Sequence, residues 1–161
     1  MTRRRWIVNA SPVIFLAKVG ALELLKQLAD EVAIPASVHL EVAAGGRGSS
    51  DSPPIELPQW LILYDDLPLP PEIAGWDLGA GESQVLAHAL ISGDEAVLDD
   101  LQGRHCARAL GVATTGTLGV ILRAKRQKIV PAARPLVEQL LLKGLYLSRD
   151  LVESTLREVG E

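Results

Sequence analysis

"AVLDDLQGRHCARALGVATTGTLG", residues 96–119, reads as strand, helix, strand and the start of a further helix. Ala96-Val97-Leu98 is a short apolar run that stops at two acids, Asp99 and Asp100. Leu101 to Leu110 has helical spacing, and Gly111 suits the left-handed conformation that closes a helix. Val112-Ala113-Thr114 is the next strand, and Gly116 starts a helix that carries Leu118, Ile121 and Leu122. Strands joined by helices in this way pair in parallel, with helices covering the sheet.

The alternation extends in both directions. Trp6-Ile7-Val8 is a buried strand ending at Asn9; Ser11 suits a helix cap and Pro12 its first turn. Leu22, Leu24, Leu25 and Leu28 continue at helical spacing after Gly20. Val32-Ala33-Ile34 is a second strand, stopped by Pro35, and residues 37–42 form a helix. A turn-rich loop over 45–58 leads to a third strand at 60–64, and a proline-rich loop over 65–78 to a helix from Glu82 to near Gly93. Two amphipathic helices close the chain, one entering through Pro131, the other capped by Ser148 and reaching Val159. The expected fold is α/β, three layers (αβα) around a central, mostly parallel sheet. With 161 residues, no internal repeat and no low-complexity tract, one domain over 1–161 is expected.

Composition narrows the setting. No apolar run approaches the ~18 residues that would span a bilayer. The basic start, Met-Thr-Arg-Arg-Arg, is followed by too short an apolar stretch for a signal peptide. The single cysteine, Cys106, excludes an internal disulfide and a cysteine metal cluster, so a cytoplasmic location is expected. The net charge of −4 does not point to nucleic acid, but its distribution is uneven. Between Gly48 and Gly103 there are 11 acids and no Lys or Arg, so every basic residue lies outside that segment. Such segregation builds an acidic pocket beside a basic surface, unless the segments spread over several faces.

In an open parallel sheet, ligands bind beyond the carboxyl ends of the strands. That edge collects Asn9 and Ser11, Asp99 and Asp100, and Thr115 and Thr117, with Glu41 and Glu82 on helices beside it. Each has a structural explanation as well. Glu82 in a first helical turn is favoured by the helix dipole, Glu41 suits a solvated helix face, and Asn9, Ser11, Thr117 and Asp100 suit turns or caps. The Asp99-Asp100 pair is the hardest to dismiss, because adjacent carboxylates repel unless a cation lies between them. His39, His88 and His105 lack zinc spacing, and Gly79-Ala80-Gly81-Glu82 lacks the Lys-Ser/Thr of a phosphate loop.

"IVNASPVIFLAKVGALELL", "VAIPASVHLEV", "LGAGESQVLAHAL", "AVLDDLQGRHCARALGV" and "TTGTLGVILRAKRQKIVPAARPLVEQLL", with the closing "GLYLSRDLVESTLREVGE", together resemble the PIN-domain family. This is the fold of the VapC-type toxin ribonucleases, and the likeness is nearest to a prokaryotic PIN-like subgroup. It covers nearly the whole chain and lies in the order and spacing of the motifs. The resemblance implies an acidic cluster that holds Mg²⁺ or Mn²⁺ to hydrolyse RNA phosphodiesters. It implies catalytic residues Glu41, Glu82, Asp99 and Asp100, and metal ligands Asn9, Glu41, Glu82 and Asp100. Ser11, Arg104, Thr115 and Thr117 would support them. Hard oxygen ligands of this kind suit Mg²⁺, whose waters then supply a nucleophile.

Arg104, Arg108, Arg123, Lys125, Arg126 and Lys128 are the expected RNA-backbone contacts, giving affinity rather than sequence choice. A solvated helix end explains the last four equally well. RNA, a small antitoxin and a second copy of the chain are the expected partners, with no membrane contact. Asn9 departs from the toxin-type members, which carry a metal-binding Asp there. An amide oxygen still ligates a hard cation but brings no charge, so a non-catalytic PIN module that binds RNA or protein is the alternative. A phospho-receiver-like domain fits poorly, because receivers place their acid pair after the first strand.

Overall fold

The computed structural model describes residues 3–45 and 54–161. Its centre is a sheet of five parallel strands in the order β3-β2-β1-β4-β5. These are β1 (Arg5–Val8), β2 (Glu31–Pro35), β3 (Ile62–Tyr64), β4 (Glu95–Val97) and β5 (Thr114–Thr115). The helices are α1 (Ala10–Lys18), α2 (Glu23–Leu28), α3 (Ala36–Ala43), α4 (Pro71–Ala74), α5 (Ala80–Ser92), α6 (Leu101–Leu110), α7 (Thr117–Arg126), α8 (Arg134–Leu142) and α9 (Arg149–Glu158).

Strand β1 is the middle of the sheet because it is apolar on both faces. Trp6, Ile7 and Val8 are each at most 1% exposed, and Ile7 lies between Ala33 and Ala96. Helix α5 packs across β1, β2 and β4 on one side, flanked by α3, α4 and α6; α7 packs with α1, α2 and α8. The chain winds outward from β1 through β2 to β3, then returns to place β4 on the other side of β1. The crevice between the ends of β1 and β4 is therefore the topological switch point, where ligands of such sheets bind.

Several boundaries differ from the sequence reading. The helical spacing after Pro12 breaks into α1 and α2, because Gly20 adopts φ +70° and Ala21 N–H turns back to the Leu16 carbonyl at 2.8 Å. Helix α1 starts at Ala10, so Asn9 and not Ser11 occupies the cap position, and no side chain caps it. The third strand starts at Ile62, since Leu61 N–H closes a turn onto Pro58. The last strand starts at Thr114, since Val112 N–H folds back to the Ala107 carbonyl. Helix α8 starts at Arg134 rather than near Pro131, because the Glu161 carboxylate accepts the Ala133 and Arg134 N–H groups at 2.7 and 3.1 Å. The loop expected over 45–58 lies mostly outside the described residues, and the one over 65–78 carries α4. Ser148 caps α9 through Leu151 N–H as expected.

The two-sided burial of β1 has a measurable consequence. Ile7→Ala is expected to lower stability by ~2–5 kcal/mol through lost burial and a residual cavity. Urea unfolding should show this as a lower midpoint at an unchanged m value.

Candidate active site

Asn9 follows β1 directly, and its N–H bonds to the Val97 carbonyl at 2.9 Å, so its position is fixed by the sheet itself. The side chain is 8% exposed, and its Oδ1 has no hydrogen-bond partner. Buried polar oxygens are normally paired, and leaving one unpaired costs ~1–3 kcal/mol. Glu82, in the first turn of α5, presents a second such atom: Oε1 is buried without a partner. These are the two unpaired buried oxygens found beyond the carboxyl ends of the strands among the described residues.

The Glu82 carboxyl is pushed up from 4.5 to about 7, first by burial, then by the Asp100 carboxyl beside it and by Glu41. Two carboxyls side by side repel when both are ionised, so Asp100 favours the protonated form of Glu82. Asp100 is also the N-cap of α6, accepting the Gly103 N–H at 3.0 Å. The cap is thus present, and the same carboxyl lies beside Glu82. Glu41, exposed on α3, accepts the Gly81 N–H at 3.1 Å.

Asp99 turns the other way. Its carboxylate accepts the Thr117 N–H at 2.7 Å, the Thr117 hydroxyl at 2.6 Å and the Ser11 hydroxyl at 3.4 Å. Its charge is thus held by three donors and points along the start of α7. Thr117 is fully buried, and its hydroxyl is aimed by this bond. Thr115 is buried too, but its hydroxyl packs against Gly119 rather than the acids.

The basic residues separate into two groups. Arg104, exposed in α6, reaches back to the Asp99 side, its Nη1 3.6 Å from where a side chain on Gly116 would begin. Arg108 lies one turn further along α6 and is exposed. Arg123, Lys125, Arg126 and Lys128 are not brought to the acids. Helix α7 starts at the site and runs away from it, so its end reaches the opposite edge of the sheet. There Arg123 stacks on Trp6 and approaches Glu95, Lys125 bonds the Pro131 carbonyl, and Arg126 pairs with Glu158 at 3.2 Å.

Three glycines that the sequence reading did not assign to the site crowd its acids. A side chain on Gly81 would begin 2.5 Å from Glu41 Oε1, and one on Gly116 2.9 Å from Asp99 Oδ1. A side chain on Gly103 would collide with Glu82 Oε1. Gly103 in the middle of "LQGRHC" was the available signal, since glycine in a helix interior costs ~1 kcal/mol against alanine. A cleft of about 700 Å³ between α1 and α3 opens from Ser11 and Glu41 toward Phe15 and Lys18.

As arranged here, no three His, Cys, Asp or Glu side chains among the described residues form a metal cluster. The donor set is mixed instead: an amide oxygen, a half-neutral carboxyl and a capping carboxylate. Oxygen-only donors with two orphaned atoms fit a hard divalent cation and no soft one.

Glu82 makes stability pH-dependent when no metal is added. Its folded value lies above its ordinary one, so its contribution is complete below about pH 4.5 and is lost as pH rises through about 7. In the presence of a chelator, Tm is expected to fall between pH 5 and 8, and Glu82→Gln should flatten that slope. Thermal melts across the range test this.

No curated protein matches the chain. A family model does: the PIN domain, over residues 5–161. The match spans the whole sheet and every site residue named above, and the chain belongs to the PIN-domain family, a nuclease fold whose members generally depend on divalent metal ions and bind RNA.

Proposed function

We propose that this PIN domain is a Mg²⁺- or Mn²⁺-dependent endoribonuclease of the toxin–antitoxin type, held in check by a small antitoxin. The observation that carries the reading is the unpaired, buried Asn9 Oδ1 at the switch point of the sheet. An oxygen in that place, with a Glu82 oxygen on the same edge of the sheet also without a partner, is the kind of donor that a hard cation takes.

Asn9, Glu82 and Asp100 would hold the ion, with Glu41 at the rim. The bound ion supplies a water of lowered pKa and stabilises charge on the phosphoryl oxygens. The chain does the rest. Burial raises the Glu82 carboxyl to about 7, so it is half protonated at neutral pH without a cation. The Asp99 carboxylate is held in place by the Thr117 N–H and by the Ser11 and Thr117 hydroxyls, which donate to it. It supplies the charge that Asn9 lacks. Arg104 and Arg108 offer cations to the RNA backbone, contacts that confer affinity without base preference.

The second reading is a PIN module that binds RNA or a protein partner without cleaving. It is favoured by the lack of a three-acid cluster among the described residues.

Incubating purified protein with mixed RNAs and Mn²⁺ separates the two. Under the nuclease reading the wild type cleaves, Glu82→Gln loses at least ~100-fold, in the range of a lost metal or acid–base group, and a chelator abolishes cleavage. A silent wild type that becomes active on Asn9→Asp supports the binding module. Cleavage unaffected by loss of both Glu82 and Asp100 would refute the site.

A further inference from the structure

A cavity of about 260 Å³ lies on the far side of the acids, beside Asp99 and the edge strand β5. Leu118 and Leu122 of α7 form one wall, and Leu145 and Leu147 of the segment before α9 form another. Arg104 and Tyr146 also line it, and both are exposed; Leu151 and Thr155 of α9 lie on the same cavity.

Tyr146 is 94% exposed, between Leu145 at 7% and a half-buried Leu147. The two leucines pin the segment to the core and leave the intervening ring in water, where it adds nothing to folding. Arg104 forms no ion pair among the described residues, whereas Arg5, Arg123, Arg126 and Arg134 each have a carboxylate within 4 Å. Asp99, which lines the same cavity, is already taken by Thr117 and Ser11. A side chain on Gly116 would crowd that carboxylate at 2.9 Å and begin 3.6 Å from the guanidinium. An uncommitted guanidinium, an exposed aromatic ring and a small apolar cavity meet at one end of the acidic crevice.

We propose that this rim is a nucleotide subsite of the RNA. The base next to the scissile phosphate enters the cavity under Tyr146, and its phosphate lies on Arg104. The subsite rests on the ribonuclease reading of the neighbouring acids. An RNA base is favoured over a protein segment because the free cation calls for an anion and the cavity is small. Aromatic stacking accepts any base, so the subsite adds affinity and register with weak sequence preference.

Fluorescence anisotropy of labelled hexauridylate tests it, with an abasic ribose chain of equal length as comparison. The full chain carries Glu82→Gln to prevent cleavage, and Mg²⁺ is present. Tyr146→Ser should weaken hexauridylate binding about tenfold and leave the abasic chain unaffected. Arg104→Met should weaken both, and reduce the slope of log affinity against log salt by about 0.7. Both residues are exposed, so Tm should not move. A parent that binds RNA while both variants match it overturns the subsite and leaves the ribonuclease reading standing. A parent that binds no RNA overturns both. Unchanged RNA binding, with Tyr146→Ser instead dispersing an oligomer in ultracentrifugation, assigns the rim to a protein partner and overturns the subsite.

Discussion

Carboxylates brought together at the crevice between β1 and β4 repel one another, and that repulsion governs how the site is built. Each acid is relieved in a different way. Glu82 keeps a proton to about pH 7. Asp99 is ringed by the Thr117 N–H and the Ser11 and Thr117 hydroxyls. Asp100 caps α6, and Glu41 takes the Gly81 N–H. Beside the end of β1, buried, the chain carries Asn9, an oxygen without charge. An Asp there would add a further buried negative charge to the same crevice. The amide thus lowers the electrostatic cost of the metal-free fold, and under the proposed function its oxygen would meet the cation.

Close approach of backbone and acid is the second requirement. Gly81, Gly103 and Gly116 lie under Glu41, Glu82 and Asp99 respectively, and a Cβ at any of them would displace the carboxylate. Helix α6 accepts glycine in its interior for this reason, and the Gly103 N–H also completes the Asp100 cap. Helix starts, glycines and acids are therefore one device. The helices bring N–H groups to the crevice, and Gly81 and Gly116 let Glu41 and Asp99 reach them, while Gly103 leaves room for Glu82.

The α/β alternation was legible because each strand is a short apolar run and each helix has its own period. The acids were legible because strand ends in parallel sheets gather ligands. Other features were hidden for physical reasons. The break at Gly20 depends on a turn back to Leu16, and the start of α8 on a carboxylate 28 residues further on, at Glu161. Neither partner is near in sequence. The basic run at 123–128 read as an RNA contact because its distance from the acids is set by the direction of α7, which only the sheet order reveals. The acidic segment also divides: Glu82, Asp99 and Asp100 reach the crevice, while Asp94 and Glu95 lie at the opposite edge with Arg5 and Trp6. Charge along a chain maps onto a face only when the topology carries it there.

The central claim is that Asn9 Oδ1 and Glu82 Oε1 are left unpaired because a hard cation completes them. An anomalous difference map from a crystal soaked in Mn²⁺ addresses it most directly. The account predicts a peak in the crevice between β1 and β4, in contact with both atoms. A map with no peak there and an ordered water bonded to Asn9 Oδ1, or a Mn²⁺ ion held by carboxylates elsewhere, would contradict it.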